Sequence, residues 1–317
     1  MSVDRVVVAG ASGFIGRALL PEFAAAGFEI VALTRDVARH RAGLPDEVIA
    51  AEWDGRTVAD WARYVDGAFA IVNLTGDNLA QGRWTKAKKR RILNSRTGPG
   101  AGLVEAIRRA RTKPRVFVQG SAIGAYGSPG EVEADETSPP GEGFLADVVR
   151  QWEASTRDVE TLGVRRVVVR SGLVLGRGGG VWPSLARPVR VFVGGPLASG
   201  RQWFSWIHIE DEARAIRFLI GRDDLSGVFN LTAPRPLREG ELCWTIAKAV
   251  RRPCWLPVPA LLLRLLFGEK ADETLLVSQR VVPKRLEAAG FAFRYPDAAA
   301  AVAALVRRGP RAGSAAG

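Results

Sequence analysis

The chain has 317 residues, 47% of them apolar and 25% charged, which is the composition of a folded globular protein and excludes wholesale disorder. Its two cysteines, Cys243 and Cys254, exclude a disulfide framework, and no cysteine or histidine spacing indicates a metal site. Because the ligand spacing is missing, we predict no bound metal. The N-terminus lacks the pattern of a signal peptide, and together with the low cysteine content this predicts a reducing, cytoplasmic setting.

Positive charge exceeds negative charge by 12 at neutral pH, and a run of lysines and arginines falls between Lys86 and Arg91. Ile92 and Leu93 follow this run, as expected of a helix with one solvated basic face, and no nucleic-acid-binding motif surrounds it. We therefore predict no nucleic-acid partner. We interpret the excess positive charge as serving to attract an anionic cofactor or substrate.

The most lipid-like stretch is Leu256–Phe267, which includes Arg264. A membrane-spanning helix needs roughly 20 apolar residues, so this stretch is too short to cross a bilayer. We interpret it as a buried helix and predict no membrane partner.

Short runs of Val, Ile, Ala and Phe alternate with helical patterns in the first two thirds of the chain. The predicted strands cover Arg5–Ala9, Glu29–Thr34, Ala68–Leu74, Arg115–Gly120 and Arg165–Arg170. The predicted helices cover Ile15–Ala26, Pro99–Arg111 and Phe144–Leu162. Because strands that alternate with helices form βαβ units, this pattern predicts an α/β fold with a doubly wound parallel sheet and helices on both faces.

The rest of the chain departs from this alternation. Gly127–Gly143 is rich in Gly, Pro, Glu and Asp, so we predict a surface loop close to the site. We place a dinucleotide-binding domain at residues 1–175, completed by sheet segments around 205–232. Residues 176–204 and 233–308 are predicted to form a smaller, mostly helical C-terminal substrate lobe, and the tail 309–317 is predicted to be disordered.

A glycine motif, Gly10-Ala-Ser-Gly13-Phe-Ile-Gly16, stands between the first predicted strand and the first predicted helix. Gly10 permits a tight turn, Gly13 lets the backbone approach a pyrophosphate, and Gly16 allows the helix to pack closely on the strand. The start of the helix presents backbone N–H groups to the anion. We therefore predict a Rossmann-type dinucleotide site whose loop contacts are Gly10, Ser12, Gly13, Phe14, Ile15 and Gly16.

The second predicted strand ends in Thr34 and Arg35, where an NAD-specific site normally carries an Asp or Glu for the ribose hydroxyls. That acid is missing. Arg35 instead offers a fork of donors suited to a 2′-phosphate, and Arg39 is near enough in sequence to assist. We therefore predict NADP in preference to NAD; the alternative is that Arg35 merely faces solvent.

Two further segments complete the predicted cofactor site. Leu74, Thr75 and Gly76 follow the Ala68–Leu74 strand and let a nicotinamide ribose come close. Asp54 is predicted to accept a hydrogen bond from the adenine amino group, although a loop aspartate is more often a turn former.

Seven further stretches have the character of family motifs: Asn73–Gly76, Arg83–Thr85, Asn94–Arg96, Gly120–Gly127, Gly200–Trp203, Trp206–Asp211 and Pro283–Phe293. With the glycine motif, they resemble the extended short-chain dehydrogenases, the NAD-dependent epimerase/dehydratase superfamily. They cover nearly the whole chain and are most similar to an atypical, epimerase-like branch whose helical C-terminal domain has no assigned role. The resemblance implies a nicotinamide dinucleotide cofactor and a C-terminal lobe that closes over the substrate.

In that superfamily a Ser, together with a Tyr and a Lys four residues apart on the next helix, performs the chemistry, and the resemblance implies Ser121 for the serine. The helix that should carry the Tyr and Lys has neither between Gly143 and Glu153. Tyr126 does not match that tyrosine, because it lies before this helix, in the loop just after Ser121. We keep it as a second catalytic candidate; the alternative is that it packs in the pocket wall. Asp147 and Glu153 lie six residues apart and do not share a helix face well.

The predicted substrate contacts are polar and aromatic residues: Asn78, Trp84, Arg201, Gln202 and Trp206. Arg201 offers a bidentate grip on a phosphate or carboxylate, and the tryptophans can stack on a flat or sugar-like ring. With nine tryptophans in the chain, a core role for any one of them is the alternative. We interpret His208 as structural.

These features together predict an NADP(H)-binding protein of the short-chain dehydrogenase/reductase type. Its predicted activity is that of an oxidoreductase or epimerase on an unidentified small polar substrate, anionic or sugar-like, with rearranged acid/base groups. The alternative is a non-catalytic NADP(H)-binding sensor or interaction protein. The sequence leaves a homodimer open.

Overall fold

The computed structural model describes residues 3–307, so the predicted disorder of the tail 309–317 lies outside the described residues. The strands are, in chain order, β1 (Arg5–Ala9), β2 (Glu29–Thr34), β3 (Ile49–Glu52), β4 (Ala70–Asn73), β5 (Val116–Ala122), β6 (Glu133–Ala134), β7 (Arg165–Ser171), β8 (Leu173–Gly176), β9 (Gly179–Gly180), β10 (Trp203–Phe204), β11 (Trp206–His208), β12 (Gly227–Leu231), β13 (Leu237–Arg238) and β14 (Arg280–Val281). The α-helices are α1 (Phe14–Ala25), α2 (Val37–Arg41), α3 (Lys86–Arg109), α4 (Phe144–Ala154), α5 (Trp182–Arg190), α6 (Ile209–Ile220), α7 (Glu239–Val250), α8 (Ala260–Phe267), α9 (Lys284–Ala288) and α10 (Ala298–Val306).

The main sheet has seven parallel strands in the order β12-β7-β5-β4-β1-β2-β3. At its centre, Val7 of β1 aligns with Val31 of β2 on one side and with Ile71 of β4 on the other. The chain winds outward from β1 in both directions, which confirms the predicted doubly wound α/β fold. In such sheets the ligand crevice opens at the carboxyl ends of the strands where the winding reverses, here between β1 and β4.

Each face of the sheet is buried beneath helices, because successive side chains of a strand point to opposite faces. Val6 and Val8 of β1 pack with Phe23 of α1 in one core. Val7 packs with Leu103 of α3 in the core on the other face. This double burial explains why the strands are nearly continuous runs of apolar residues.

The predicted helix Pro99–Arg111 is wrong at its start, because α3 begins at Lys86 and Pro99 lies inside it. The glycines around Pro99 serve close packing: a Cβ on Gly100 would lie 2.3 Å from Ser155 Oγ, and one on Gly102 would lie 2.7 Å from the Arg56 carbonyl oxygen. The predicted helix Phe144–Leu162 is also too long, since α4 ends at Ala154.

In the C-terminal lobe, α5, α7 and α10 pack around a third apolar core that includes Trp206. The predicted buried helix at Leu256–Phe267 is wrong: in α8 only Leu263 is buried, and Leu261 and Leu265 are 69% and 65% exposed. The helix packs mainly on the adjoining turn at residues 271–275, so most of its apolar surface has no cover. Within residues 3–307, no helix is long and apolar enough to cross a bilayer.

Candidate functional site

The glycine loop between β1 and α1 is built so tightly that side chains are excluded from it. Gly10 has a φ of +89°, and the Gly13 N–H donates to the Gly10 carbonyl at 2.9 Å. A Cβ on Gly10 would lie 2.9 Å from the Leu74 carbonyl, and a Cβ on Gly16 would lie 2.3 Å from the Gly10 carbonyl oxygen. The loop therefore tolerates only glycine at positions 10 and 16. The close contact of Gly10 with Leu74 also brings the ends of β1 and β4 together.

The N-terminus of α1 lies at this loop, and within the described residues no side chain neutralises the partial positive charge of the helix dipole there. Its cap residue, Gly13, has no side chain, and no acid lies in the first turn of the helix. The N–H groups of this turn can therefore bind an anion such as a pyrophosphate. The Phe14 ring packs on the β8–β9 turn instead: a Cβ on Gly176 would lie 2.5 Å from it. Any contact of Phe14 with the anion therefore comes from its backbone.

Two exposed arginines follow β2. Thr34 is buried, and its hydroxyl lies 2.8 Å from His40 Nδ1. Asp36 caps α2 by accepting from the Arg39 N–H at 2.9 Å. Within residues 3–307, the guanidinium groups of Arg35 and Arg39 form no hydrogen bond or ion pair, so both cations are available to an anion at this end of the sheet.

Asp54, after β3, is a turn residue. Its carboxylate accepts hydrogen bonds from the Arg56 N–H at 2.7 Å, the Thr57 N–H at 2.8 Å and the Thr57 hydroxyl at 2.8 Å. The hydrogen bonds from Thr57 and Arg56 hold the pKa of this carboxyl below its usual value. These bonds match the turn-forming alternative, and a contact between Asp54 and adenine stays a prediction.

The segment after β4 is fixed by buried polar groups. Asn73 Oδ1 accepts from the Thr75 hydroxyl at 2.6 Å, and Asn73 Nδ2 donates to Gln119 Oε1 at 3.1 Å. A Cβ on Gly76 would lie 3.1 Å from Arg96 Cζ, so only a very small residue fits over this guanidinium. Burial lowers the pKa of Arg96 to about 10. The backbone from Leu74 to Gly76 is thereby held rigid beside the glycine loop.

At the end of β5, Ser121 joins a charged pair that the sequence analysis missed. The Ser121 hydroxyl donates to Glu153 Oε1 at 2.6 Å. Arg170 binds both oxygens of Glu153, with Nε–Oε1 and Nη2–Oε2 distances of 2.8 and 2.9 Å. Burial opposes the charge on Arg170, yet the pairing with Glu153 raises the pKa of Arg170 above its usual value. An arginine directly after the apolar run Val167–Val169, at the carboxyl end of β7, was the available signal.

Tyr126 lies in the wall behind this cluster. Its hydroxyl donates to Asn230 Oδ1 at 2.8 Å, its ring faces the Arg170 guanidinium at 5.0 Å, and burial raises its pKa. This environment matches the pocket-wall alternative. Asp147 pairs with Arg150 on the exposed surface of α4, away from Glu153.

Three predicted substrate residues keep accessible surface. Asn78 and Trp84 share the loop before α3, where the Trp84 indole N–H donates to the Leu79 carbonyl at 3.1 Å and its ring lies 5.2 Å from Phe144. Arg201 is exposed after α5, and within residues 3–307 its guanidinium forms no hydrogen bond or ion pair.

Two predicted substrate residues need correction. Trp206 is 0% exposed, lies in the core of the C-terminal lobe and donates to the Arg235 carbonyl at 3.2 Å, so it cannot contact a substrate. Gln202 is buried, and its amide nitrogen donates to the carbonyls of Leu197 and Leu275. The sequence motif around them therefore reflects packing of the lobe.

The C-terminal lobe contacts α4 and the loop before α3 through two side chains that the sequence did not single out. The Glu273 carboxylate accepts from the N–H groups of Phe144 and Leu145 at 3.0 and 3.1 Å, which caps α4. Lys270 Nζ donates to the carbonyls of Ala80 and Gly82, each at 3.0 Å. The lobe is thus tied to the loop that carries Asn78 and Trp84.

His208 is buried, its Nδ1 accepts from the Glu210 N–H, and its ring stacks on Tyr295 at 4.0 Å, all of which fit a structural role. In the part of the chain that the structure describes, no cluster of His, Cys, Asp or Glu could hold a metal ion.

A parallel sheet with a glycine loop and a free helix N-terminus at its switch point defines a Rossmann-type nucleotide-binding protein. Comparison with known families extends this assignment. Residues 6–232 match the NAD dependent epimerase/dehydratase family, and residues 258–305 match a domain of unknown function, DUF1731. The chain belongs to the NAD-dependent epimerase/dehydratase family of extended short-chain dehydrogenases, in the atypical branch with this C-terminal domain.

Relatives of similar length support this assignment. The chain is 37% identical over 307 residues to the chloroplastic homologue of epimerase family protein SDR39U1 from Arabidopsis thaliana, covering 95% of this chain and 86% of the relative. It is 38% identical over 290 residues to an epimerase family protein of Mycobacterium bovis, covering 92% and 93% of the two chains.

Solved structures share the fold. Human epimerase family protein SDR39U1, crystallised with NADPH, superposes with a TM-score of 0.85 at 33% identity, covering 95% of this chain and 99% of that one. A nucleoside-diphosphate sugar epimerase from Corynebacterium glutamicum gives 0.76 at 29% identity, covering 96% of this chain and 58% of that one. A Thermus thermophilus UDP-glucose 4-epimerase with NAD gives 0.75 at 20% identity, covering 95% and 97% of the two chains, which shows the fold alone.

Proposed function

We propose that this protein binds NADP(H) at the carboxyl ends of β1, β2 and β4 and acts as an oxidoreductase or epimerase on a small polar substrate. The observation that carries the cofactor preference is the exposed pair Arg35 and Arg39, which stands where an NAD-specific site has an acid. The human relative crystallised with NADPH supports the same preference.

The residues present fit a dinucleotide, since the first turn of α1 has neither a side-chain cap nor an acid and leaves its backbone N–H groups to an anion. The backbone from Gly10 to Gly16 would hold the pyrophosphate. The 2′-phosphate would be held by Thr34, Arg35 and Arg39, and the nicotinamide ribose would lie against Leu74–Gly76. When bound, NADPH supplies a hydride. Asn78, Trp84 and Arg201 would hold the substrate.

Ser121 and Glu153 offer a route for a proton in a chain that lacks the Tyr and Lys of the superfamily. The Ser121 hydroxyl already donates to Glu153 Oε1, so its oxygen lone pairs point elsewhere and can accept from a substrate hydroxyl. When a substrate alcohol loses its hydride to NADP⁺, Ser121 Oγ takes the alcohol's proton and passes its own proton to Glu153. Reduction of a carbonyl with NADPH runs the same proton transfers in reverse, from Glu153 through Ser121 to the substrate oxygen. Arg170 positions the Glu153 carboxylate for this transfer.

A second candidate function, NADP(H) binding without turnover, is favoured by one observation. Ser121 and Tyr126 are both buried, and each donates its hydroxyl proton to another residue of the chain. A sensor or interaction protein needs the cofactor site but no proton route.

Replacing Arg35 by Ala tests the cofactor assignment. We expect NADPH binding to weaken at least about tenfold with NADH binding unchanged, because only NADPH carries the 2′-phosphate that a charge-assisted bidentate bond would hold. Calorimetric titration of both nucleotides measures this, with Arg111→Ala as a control for the loss of an exposed arginine elsewhere. Equal losses for the two nucleotides would remove the basis for NADP selectivity.

A screen of carbonyl compounds and nucleotide sugars with NADPH separates the two candidate functions. If a substrate turns over, Ser121→Ala and Glu153→Gln should each lower kcat by about 10²–10⁴, the usual worth of a positioned acid/base group, while NADPH binding persists. Unchanged turnover in Ser121→Ala would exclude the proton route. Tight NADPH binding without turnover across the screen would select the non-catalytic candidate.

A further inference from the structure

The exposed apolar residues of this protein are concentrated on one part of the C-terminal lobe. Among residues 3–307, twelve large apolar side chains are exposed, and nine of them fall within residues 191–193 and 255–266. They are Val191, Phe192, Val193, Trp255, Leu256, Leu261, Leu262, Leu265 and Leu266. We call these nine residues the apolar surface. Concentrations of this kind mark interaction sites, whereas exposed apolar residues scattered singly need no explanation.

The two segments of the apolar surface are bonded to each other. The Trp255 indole N–H donates to the Phe192 carbonyl at 3.1 Å, and the Leu256 backbone N–H donates to the Gly194 carbonyl at 3.2 Å. Phe192 has a φ of 68°, a conformation that bulky residues rarely adopt. The turn therefore holds an exposed phenylalanine in a left-handed backbone conformation that glycine adopts with less strain. Strained backbone residues of this kind cluster at functional sites.

A basic cavity adjoins the apolar surface. Its volume is about 810 Å³, and its lining includes Arg187 and Arg190 from the last turn of α5 and Arg251 and Arg252 from the end of α7. None of its lining residues is acidic. The Arg252 guanidinium lies 4.6 Å over the Phe192 ring, which joins the cavity to the apolar surface.

The arginines of this cavity are not neutralised by the fold. Within the described residues, the guanidinium groups of Arg187, Arg190 and Arg251 form no hydrogen bond or ion pair, although most acids of the chain are paired with a cation. Like charges gathered around one cavity repel each other and favour an anionic partner. They also disfavour a second copy of this chain, because an isologous contact would bring the same cations together.

We propose that the apolar surface and the arginines beside it bind the surface of an anionic phospholipid bilayer. The exposed leucines of α8 and the rings of Phe192 and Trp255 enter the acyl boundary, and the arginines bind lipid phosphates. With eight residues, α8 is about 12 Å long, so it lies in the plane of the membrane and does not span it. This inference departs from the sequence-based expectation of no membrane partner, which assumed that this helix was buried.

Vesicle co-sedimentation tests the proposal. The wild-type protein should sediment with vesicles of phosphatidylcholine and phosphatidylglycerol in equal parts and remain in solution with pure phosphatidylcholine. Leu261→Ser/Leu265→Ser and Arg251→Glu/Arg252→Glu should each weaken binding to the anionic vesicles at least about tenfold, since one removes the inserted groups and the other the phosphate ligands. All four positions are exposed, and an unchanged circular dichroism melt verifies the fold of each variant.

Matched controls are Val132→Ser, an exposed apolar residue outside the surface, and Arg111→Glu/Arg157→Glu, which makes the same change in net charge elsewhere. Both should bind like the wild type. Equal binding to both kinds of vesicle, binding to neither, or unchanged binding of Leu261→Ser/Leu265→Ser would overturn the proposal. The proposal would also be overturned if the wild type were a dimer that does not bind vesicles and if Leu261→Ser/Leu265→Ser were a monomer, because the apolar surface would then be a subunit interface.

Discussion

Replacing Glu212 by Gln should stabilise the protein at alkaline pH and much less at acidic pH. Glu212 is fully buried in α6, and the Ser171 hydroxyl donates to its Oε1. Among residues 3–307, its Oε2 has no hydrogen-bond partner. Burial raises the pKa of this carboxyl from 4.5 to about 8, so the folded protein keeps it protonated at neutral pH.

The sign of the effect follows from the raised pKa. Below pH 4.5 the carboxyl is protonated in both the folded and the unfolded states, and its contribution to stability is fully present. As the pH rises the unfolded state loses this proton first, so stability falls until the pH passes the folded-state pKa of about 8. The loss between pH 6 and pH 9 is on the order of 3 kcal/mol, whereas glutamine has a similar size and does not titrate.

Urea unfolding of the wild type and Glu212→Gln at pH 6 and pH 9 measures this difference in the free energy of unfolding. Burial also raises the pKa of Glu239, to about 7, but that group is present in both proteins and cancels in the comparison. Glu287→Gln, at an exposed position, is the matched control and should show no such pH dependence. A stability difference between wild type and Glu212→Gln that is the same at both pH values would refute the reasoning.

Three further substitutions have defined outcomes. Gly13→Val should abolish NADPH binding in a folded protein, because its Cβ would lie 3.0 Å from the Gly10 carbonyl oxygen and its side chain would occupy the pyrophosphate position; unchanged affinity by titration would contradict the placement of the loop. Trp206→Ala should lower the free energy of unfolding by about 3–5 kcal/mol, the range for emptying a core position; a loss below about 1 kcal/mol in urea unfolding would contradict its place in the core. Tyr126→Phe should cost about 1–3 kcal/mol, because Asn230 loses a buried partner, and should leave kcat unchanged on any substrate that is found; a collapse of kcat would restore Tyr126 as a catalytic residue.

Local sequence was sufficient for the centre of the fold. The bounds of β1 and β2 match the predicted strands, since each is a short apolar run between polar or glycine residues. The glycine motif was informative because it stands directly between a strand and a helix. The predicted fold class and family are confirmed by the sheet order and by the matches over residues 6–232.

The errors arise where a partner distant in sequence decides the outcome. The run Leu256–Phe267 is apolar whether it is buried or exposed, and only the assembled fold shows that little covers α8. The glycines beside Pro99 resemble a helix boundary, yet they are required by Ser155 and Arg56, which pack against α3.

The coupling of Ser121 to Glu153 and Arg170 also depends on long-range packing, because it joins β5, α4 and β7. Hydrophobic periodicity places each of these elements but does not show which polar ends meet. The same limit applies to Glu273, whose carboxylate caps α4 from 129 residues away in sequence.

The central claim, that this protein is an NADP(H)-binding member of its family, is tested most directly by nicotinamide fluorescence during titration of the purified protein with NADPH and, separately, with NADH. We predict saturable binding of both nucleotides or of NADPH alone, with NADPH at least about tenfold tighter because of Arg35 and Arg39. Binding of neither nucleotide would contradict the assignment of the site, and NADH binding as tight as NADPH would contradict the role given to the two arginines.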